Sequence, residues 1–197
     1  MGTNNPHQGR AIFLDRDGVI NRNIFNPASG KYEAPLEAAQ FEFAHGALDA
    51  MRGLRTGGFH LFLVSNQPNY AKGKSSLQDL WAIHHKLVEG LLLNTIDFTQ
   101  FYYCFHHPQG IGNLYSRPCN CRKPSPHFLL RARTDFDLDL SRSWMVGDRL
   151  TDVECGNRAG TRTILIAADL QCSSDRITPD EIAPDLSAAA KTILAAD

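Results

Sequence analysis

Short apolar runs alternate with segments of helical period along most of this chain, and several of the runs end abruptly in polar residues. The first run, Ala11-Ile12-Phe13-Leu14, gives way to Asp15-Arg16-Asp17-Gly18-Val19-Ile20-Asn21; its β-branched and aromatic residues predict a strand, and Gly18 a turn away from it. Ala47, Leu48, Met51 and Leu54 recur at helical spacing, and Gly57-Gly58 stops that helix before a second strand, Phe59 to Val64. Ser75 with Gln78 has capping-box spacing, and Leu77, Leu80, Trp81, His84, Leu87, Val88 and Leu91 then trace one helical face to about Asn94, on which His84 reads as a packed or half-exposed helix residue. Phe101-Tyr102-Tyr103 reads as a short strand, and Cys104 to Lys123 as a long insertion containing Pro and Gly. Ser125-Pro126 then opens a helix, with Ser as N-cap and Pro in the first turn. Ser143 to Val146 is a strand, Thr151 to Ala159 a helix closed by Gly160, Thr163 to Ala167 a strand, and Ser187 to Ala196 a helical tail. Asn23 to Leu36 carries Pro27, Gly30 and Pro35 without clear periodicity and reads as a loop.

Strands separated by helices imply βαβ units with right-handed crossovers. The predicted fold is α/β, an open three-layer sandwich around a mostly parallel, Rossmann-like sheet. At 197 residues the chain is long enough for one well-buried domain and short for two, so residues 10–197 are expected to form a single domain. Residues 1–9, rich in Asn, Gly, Pro and His, are expected to form a mobile arm.

Composition narrows the partners. A net charge of -1 offers no global attraction to nucleic acid or anionic membrane, so any anionic partner must be held locally. No apolar run approaches the roughly 20 residues that span a bilayer, and Met1 to Gln8 has no signal-peptide core. A cytoplasmic monomer acting on a small molecule is the expectation.

Five cysteines are present, and Cys104, Cys119 and Cys121 crowd one region together with His106. Without a secretion signal this favours metal over disulfides. Cys104-Phe105-His106 and Cys119-Asn120-Cys121 form a complete tetrahedral set for Zn²⁺ with no open position, which predicts a structural role for the loop 104–121. A reduced, solvent-facing cluster is the alternative, and His107 is a second candidate for the imidazole ligand. Cys155 and Cys172 read as free thiols without a role.

Four predicted strand or helix boundaries carry polar groups in a set order: Asp15 and Asp17, then Ser65-Asn66-Gln67, then Lys123, then Gly147-Asp148 followed by Asp152. Taken singly, each fits an ordinary turn, and Asp-x-Asp-Gly also fits a calcium loop. Together they resemble the haloacid dehalogenase-like phosphatase superfamily over about residues 10 to 168. That resemblance implies Asp15 as nucleophile and Asp17 as general acid and base. It further implies Mg²⁺ held by Asp15, the backbone carbonyl of Asp17 and Asp148, with Ser65 and Lys123 on the phosphoryl oxygens. Asp152 is expected to support the metal shell, and Asp17 to sit in crowded anionic surroundings. With no separate cap, the site is expected to be open.

Within the superfamily, Asp-Arg-Asp-Gly-Val-Ile-Asn, the Cys-x-His-His-Pro-Gln-Gly segment at 104–110 and Cys-x-Cys-Arg-Lys-Pro at 119–124 resemble the D-glycero-D-manno-heptose-1,7-bisphosphate phosphatase family. The resemblance implies removal of the C7 phosphate from a phosphorylated sugar. It also implies substrate contacts from Asn23, Ile24, Phe25 and Asn26, from Ser65, Asn66, Gln67 and Pro68, and from Arg122 and Lys123. The departure is Ser65 to Gly73, where Pro68 lacks a backbone donor and Lys72 is a point charge at a position more often Arg in the family. A phosphatase for another small ester, such as histidinol phosphate, shares every catalytic residue and is the nearest rival. A zinc-dependent nucleic-acid-binding module is the rival from another class, and the absence of a basic stripe argues against it.

Overall fold

The computed structural model describes residues 8–27, 29–167 and 177–196. Cys172 and most of the expected N-terminal arm lie outside them. Gly9, within that arm, is tied down: its N–H donates to Asp137 O (3.1 Å) and its carbonyl accepts from Asp139 N (2.9 Å).

The first strand, β1 (Ala11–Leu14), is buried at every position because both of its faces are covered. Side chains alternate across a strand, so Ile12 and Leu14 enter one apolar layer, while Ala11 and Phe13 enter the other. Around it lies a parallel six-stranded sheet. β4 (His60–Asn66) and then β5 (Gln100–Cys104) lie on one side; β6 (Trp144–Gly147), β7 (Arg162–Ile166) and β8 (Glu181–Ala183) follow on the other. Helices α1 (Ala47–Thr56), α2 (Leu77–Leu93) and α5 (Leu186–Ala195) pack Met51, Leu54, Leu87 and Ile193 onto one face. Helices α3 (His127–Phe136) and α4 (Leu150–Ala159) cover the other with Leu129, Ala132 and Cys155. The α/β sandwich with a mostly parallel sheet therefore stands. Among the described residues no helix is long and apolar enough to cross a membrane.

Local details differ from the sequence expectation. The 23–36 segment contains an antiparallel hairpin, β2 (Ile24–Asn26) with β3 (Lys31–Glu33), turned at Gly30. Its strands are three residues each, too short to establish an alternation. Helix α2 is capped by Ser76 with Asp79, one residue beyond the expected pair: Ser76 Oγ accepts from Asp79 N, and the Asp79 carboxylate accepts from Ser76 N. At α3 the N-cap is Pro126; Ser125 Oγ accepts from His127 N at a long 3.4 Å.

Because all six strands are parallel, their carboxyl ends share one edge. The chain runs from β1 through β4 to β5 on one side and then crosses back to β6 on the other, so the crevice where ligands bind in open α/β sheets opens at the end of β1. The sheet beneath it is held by an aromatic stack in which Phe62 lies against Phe13 (5.2 Å between centroids) and Tyr102 (6.4 Å) and meets Phe136 edge-on. Phe62→Ala opens a cavity under the site and is expected to remove about 3–5 kcal/mol of stability in denaturant unfolding; a loss below ~1 kcal/mol would show that this layer does not support the edge.

Candidate active site

Asp15 is the first residue past β1, and the chain turns there through hydrogen bonds from Ile20 N and Asn21 N to Arg16 O and from Gly18 N to Asn21 O. Gly18 has φ +80°, and a Cβ at that position would collide with the Asp148 carboxylate. Asp15 Oδ1 accepts from Arg16 N (2.7 Å) and lies 3.1 Å from Lys123 Nζ. The same ammonium lies 2.7 Å from Asp152 Oδ1 and donates to Val64 O at 2.7 Å, with only 3% of Lys123 exposed. Burial alone would push that ammonium down; the charges of Asp15 and Asp152 outweigh it and hold Lys123 above its ordinary value. The Lys123 backbone is bracketed by one side chain, since Asn66 Nδ2 donates to its carbonyl and Asn66 Oδ1 accepts from its N–H, both at 3.1 Å.

Oxygens of Asp15, Asp148 and Asp152 lie within 4.8 Å of one another. Asp152 is buried at the first turn of α4, where Oδ2 accepts from Arg149 N (3.0 Å), and Gly147 lacks the Cβ that would strike its carboxyl group. Burial and Asp15 raise Asp152 against the pull of Lys123. Asp148 is raised to about 7 by burial and then by the charges of Asp15 and Asp152. Its Oδ2 accepts from Asn23 Nδ2 (3.3 Å), while buried Oδ1 has no hydrogen-bond partner and only Arg149 Nε at 3.7 Å. One buried ammonium against three clustered carboxylates, two of them buried and that of Asp148 half-buried, leaves negative charge uncompensated, and one of the Asp148 oxygens lacks a hydrogen-bond partner. That donor set fits a hard divalent cation with oxygen ligands.

Asp17 departs from its expected surroundings. The charged group it contacts is a cation: Arg16 Nε and Nη2 donate to Asp17 Oδ1 at 3.0 and 2.9 Å, and Arg16 is 1% exposed. Gln67 completes the ring, donating from Nε2 to Asp17 Oδ2 (2.6 Å) and to Ser65 Oγ (3.0 Å) while Oε1 accepts from Arg16 Nη2 (2.9 Å). An anionic crowd is therefore replaced by a fully satisfied buried network, which fixes the carboxylate in one orientation.

Past the end of β5, Cys104 Sγ and Cys121 Sγ each lie 3.5 Å from Cys119 Sγ, and His106 Nδ1 lies 3.9 and 3.7 Å from the sulfurs of Cys104 and Cys121. The edges of a tetrahedron with zinc–sulfur bonds of ~2.3 Å are about 3.8 Å, so the donor atoms are spaced for one tetrahedral cation. Burial and the neighbouring Cys121 push the Cys104 thiol up, opposing ionisation of the group until positive charge is supplied. His107 turns elsewhere, its Nδ1 accepting from Gln109 N (3.2 Å).

A cavity of about 930 Å³ opens over the carboxylates, walled by Asp15, Asp17, Asn66, Gln67, Pro68, Arg122 and Lys123. Asn23, Ile24, Phe25 and Asn26 stand outside that lining. Across the hairpin, Lys31, Tyr32, Glu33 and Ala34 form the wall, because β3 is the strand on the cavity side. Ser65 is also outside the lining, buried beneath Gln67. Sequence reasoning missed Lys31, Tyr32, Lys74 and Arg149 in the wall, and Arg16 beneath it. With strands too short for a period to show, Gly30 was the turn signal available for the hairpin.

Comparison with known proteins agrees with this geometry. The HAD-hydrolase-like family model matches residues 120–189. The chain is 37% identical over 186 residues to D-glycero-D-manno-heptose-1,7-bisphosphate 7-phosphatase of Chlorobaculum tepidum, covering 90% of each chain. It is 39% identical over 153 residues to D-glycero-beta-D-manno-heptose-1,7-bisphosphate 7-phosphatase of Escherichia coli K12, covering 78% of this chain and 76% of that one. The crystal structure of D,D-heptose 1,7-bisphosphate phosphatase from B. bronchiseptica, complexed with magnesium and phosphate, superposes with a TM-score of 0.79 at 26% identity, covering 95% of this chain and 99% of that one. Identity of 37% over 90% of each chain shows the family, and the chain belongs to the D-glycero-D-manno-heptose-1,7-bisphosphate 7-phosphatase family of HAD-like hydrolases.

Proposed function

We propose that this protein hydrolyses the C7 phosphate of D-glycero-D-manno-heptose 1,7-bisphosphate through an aspartyl-phosphate on Asp15. The observation that carries this reading is the pairing of Asp15 with Lys123 beside Asp148 and Asp152 at the end of β1. The activity for which these relatives are named supports the substrate.

Asp15 Oδ1 is committed to Arg16 N and Lys123, and among the described residues no hydrogen bond engages Oδ2, so lone pairs remain for substrate and cation. A carboxylate oxygen of Asp15 attacks phosphorus and the bond from phosphorus to the C7 oxygen breaks. As general acid, Asp17 transfers a proton to the leaving alkoxide. Water then attacks the aspartyl-phosphate, Asp17 takes its proton, and inorganic phosphate leaves with the Asp15 carboxylate regenerated. Lys123 holds positive charge where the phosphoryl oxygens gather negative charge, and Asn66 fixes the backbone that presents it. Asp15, Asp148 and the backbone carbonyl of Asp17 would hold Mg²⁺, which would supply the positive charge that lets a carboxylate approach a phosphate dianion. Cys104, His106, Cys119 and Cys121 would hold a structural Zn²⁺, and their convergence would fix the backbone that enters Arg122 and Lys123.

Three outcomes test this reading. Mg²⁺-dependent phosphate release is expected to be faster with heptose 1,7-bisphosphate than with histidinol phosphate or fructose 1,6-bisphosphate; better turnover of either alternative would move the substrate and leave the chemistry. Asp15→Asn is expected to abolish turnover with the circular dichroism spectrum intact, whereas Asp17→Asn lowers kcat about 10²–10⁴-fold; near-normal hydrolysis by the Asp15 variant would remove it as nucleophile. Zinc is expected to co-purify, and its verified removal to reduce Mg²⁺-dependent activity; full activity of zinc-free protein would separate the loop from catalysis.

A further inference from the structure

We propose that Lys72 is a specificity-determining residue that binds the second phosphoryl group of the substrate, and that segment 110–116 of the cysteine loop is the strap that positions it. This rests on the bisphosphate reading above. The cavity has two electrostatic halves. Its buried end holds Asp15, Asp17, Lys123 and Asp152, and its rim holds Lys31, Lys72, Lys74, Arg122 and Arg149 against Glu33. A substrate with one phosphate would need cations only at the buried end; the rim supplies several more.

Most of those rim cations already have partners. Lys74 Nζ pairs with Glu33 Oε2 (2.9 Å), Arg149 Nε faces Asp148 (3.7 Å), and Arg122 Nη1 donates to His106 O (3.3 Å). Among the described residues no ion pair or side-chain hydrogen bond engages the Lys72 ammonium, so its donors are available to a ligand. Partial burial, and then the charges of Arg122, Lys74 and Arg149, push that ammonium down. A bound dianion relieves this repulsion. Lys31 also lacks a side-chain partner, but it stands on the exposed hairpin, whereas the loop carrying Lys72 is held from two sides.

From within, Lys72 N donates to Pro68 O (2.9 Å) and Lys74 N to Asn69 O (2.8 Å), closing a tight turn. From outside, the cysteine loop grips the residues just before Lys72. Ile111 N donates to Ala71 O (2.9 Å), Asn113 Nδ2 to Tyr70 O (2.8 Å), and Ser116 Oγ to Ala71 O (3.4 Å). Tyr115 meets Tyr70 edge-on at 5.7 Å and His106 at 5.1 Å, so packing continues from the metal-ligand cluster to the turn. Gly110 permits the approach, because a Cβ there would strike Ser116 and the Ala71 carbonyl. The long gap between the two Cys pairs is thus the part of the loop that holds Lys72.

The test compares heptose 1,7-bisphosphate with heptose 7-phosphate, which differ only in the distal phosphate. Lys72→Met is expected to raise KM for the bisphosphate about tenfold at nearly constant kcat, with a much smaller change for the monophosphate, and Lys72→Arg to restore the bisphosphate KM. Asn113→Ala is expected to move the same ratio part of the way and to add nothing in the Lys72→Met background. Equal KM shifts for both substrates, or a fall in kcat alone, would overturn the role of Lys72; an additive effect of Asn113→Ala would overturn the strap. If wild-type protein hydrolyses other esters and not the heptose, the proposed substrate fails, and the same KM ratio on fructose 1,6-bisphosphate against fructose 6-phosphate then decides for or against Lys72.

Discussion

The crevice depends on one ammonium held out of water between two carboxylates. Lys123 reaches Asp15, just past β1, on one side and Asp152, at the first turn of the helix that follows β6, on the other, and the two carboxylates meet because β1 and β6 are neighbours in the sheet. Removing charged groups from water is costly, and mutual attraction in a buried setting offsets it only when the geometry is good and the remaining donors are satisfied. Here the third direction of the ammonium is filled by Val64 O, and the backbone on either side of it is clamped by Asn66. The strand order, the turn at Gly18, the missing side chain at Gly147 and the cap at the start of α4 all serve to bring these groups within reach.

Two separate devices surround that centre. One is the buried ring of Arg16, Asp17, Gln67 and Ser65, which gives each polar group a partner and restricts the Asp17 carboxylate. The other is the cysteine loop, which leaves β5 at Cys104 and returns to Lys123 beside the same sheet edge. Its four donor atoms converge, while its middle reaches across to the turn at residues 68–74. With no separate cap among the described residues, the cavity is shaped by the turn at residues 68–74 and by the β2–β3 hairpin.

Much of the central architecture was legible in the sequence because it is local and periodic. The runs Ala11–Leu14 and Phe59–Val64 have the composition of doubly covered strands, and their polar termini mark the edge. The cysteine spacing was equally readable, since ligand pairs two residues apart carry their meaning in the spacing. The hairpin was hidden by its brevity, and the capping pair was displaced by one residue because Ser75 and Ser76 both suit the position. The error over Asp17 has a different origin. Counting acids along the chain suggested a negative neighbourhood, but Arg16, adjacent in sequence, folds its guanidinium back on the carboxylate, a matter of side-chain direction that no pattern of residue types contains. Likewise, Lys72 stood out as a substitution, while the contacts that place it come from residues forty positions away.

The Arg16–Asp17 pair also bears on how such a protein can change over generations. Both side chains are almost wholly enclosed, so loss of the carboxylate alone strands a guanidinium among neutral partners such as Gln67 and Tyr103, at a cost of about 3–5 kcal/mol for a broken buried pair. A lineage drifting toward a non-enzymatic role could not discard its acid–base group by a single neutral step. It would have to exchange both residues together or accept a weakened fold, and this ties the persistence of catalysis in descendants to the persistence of the structure itself.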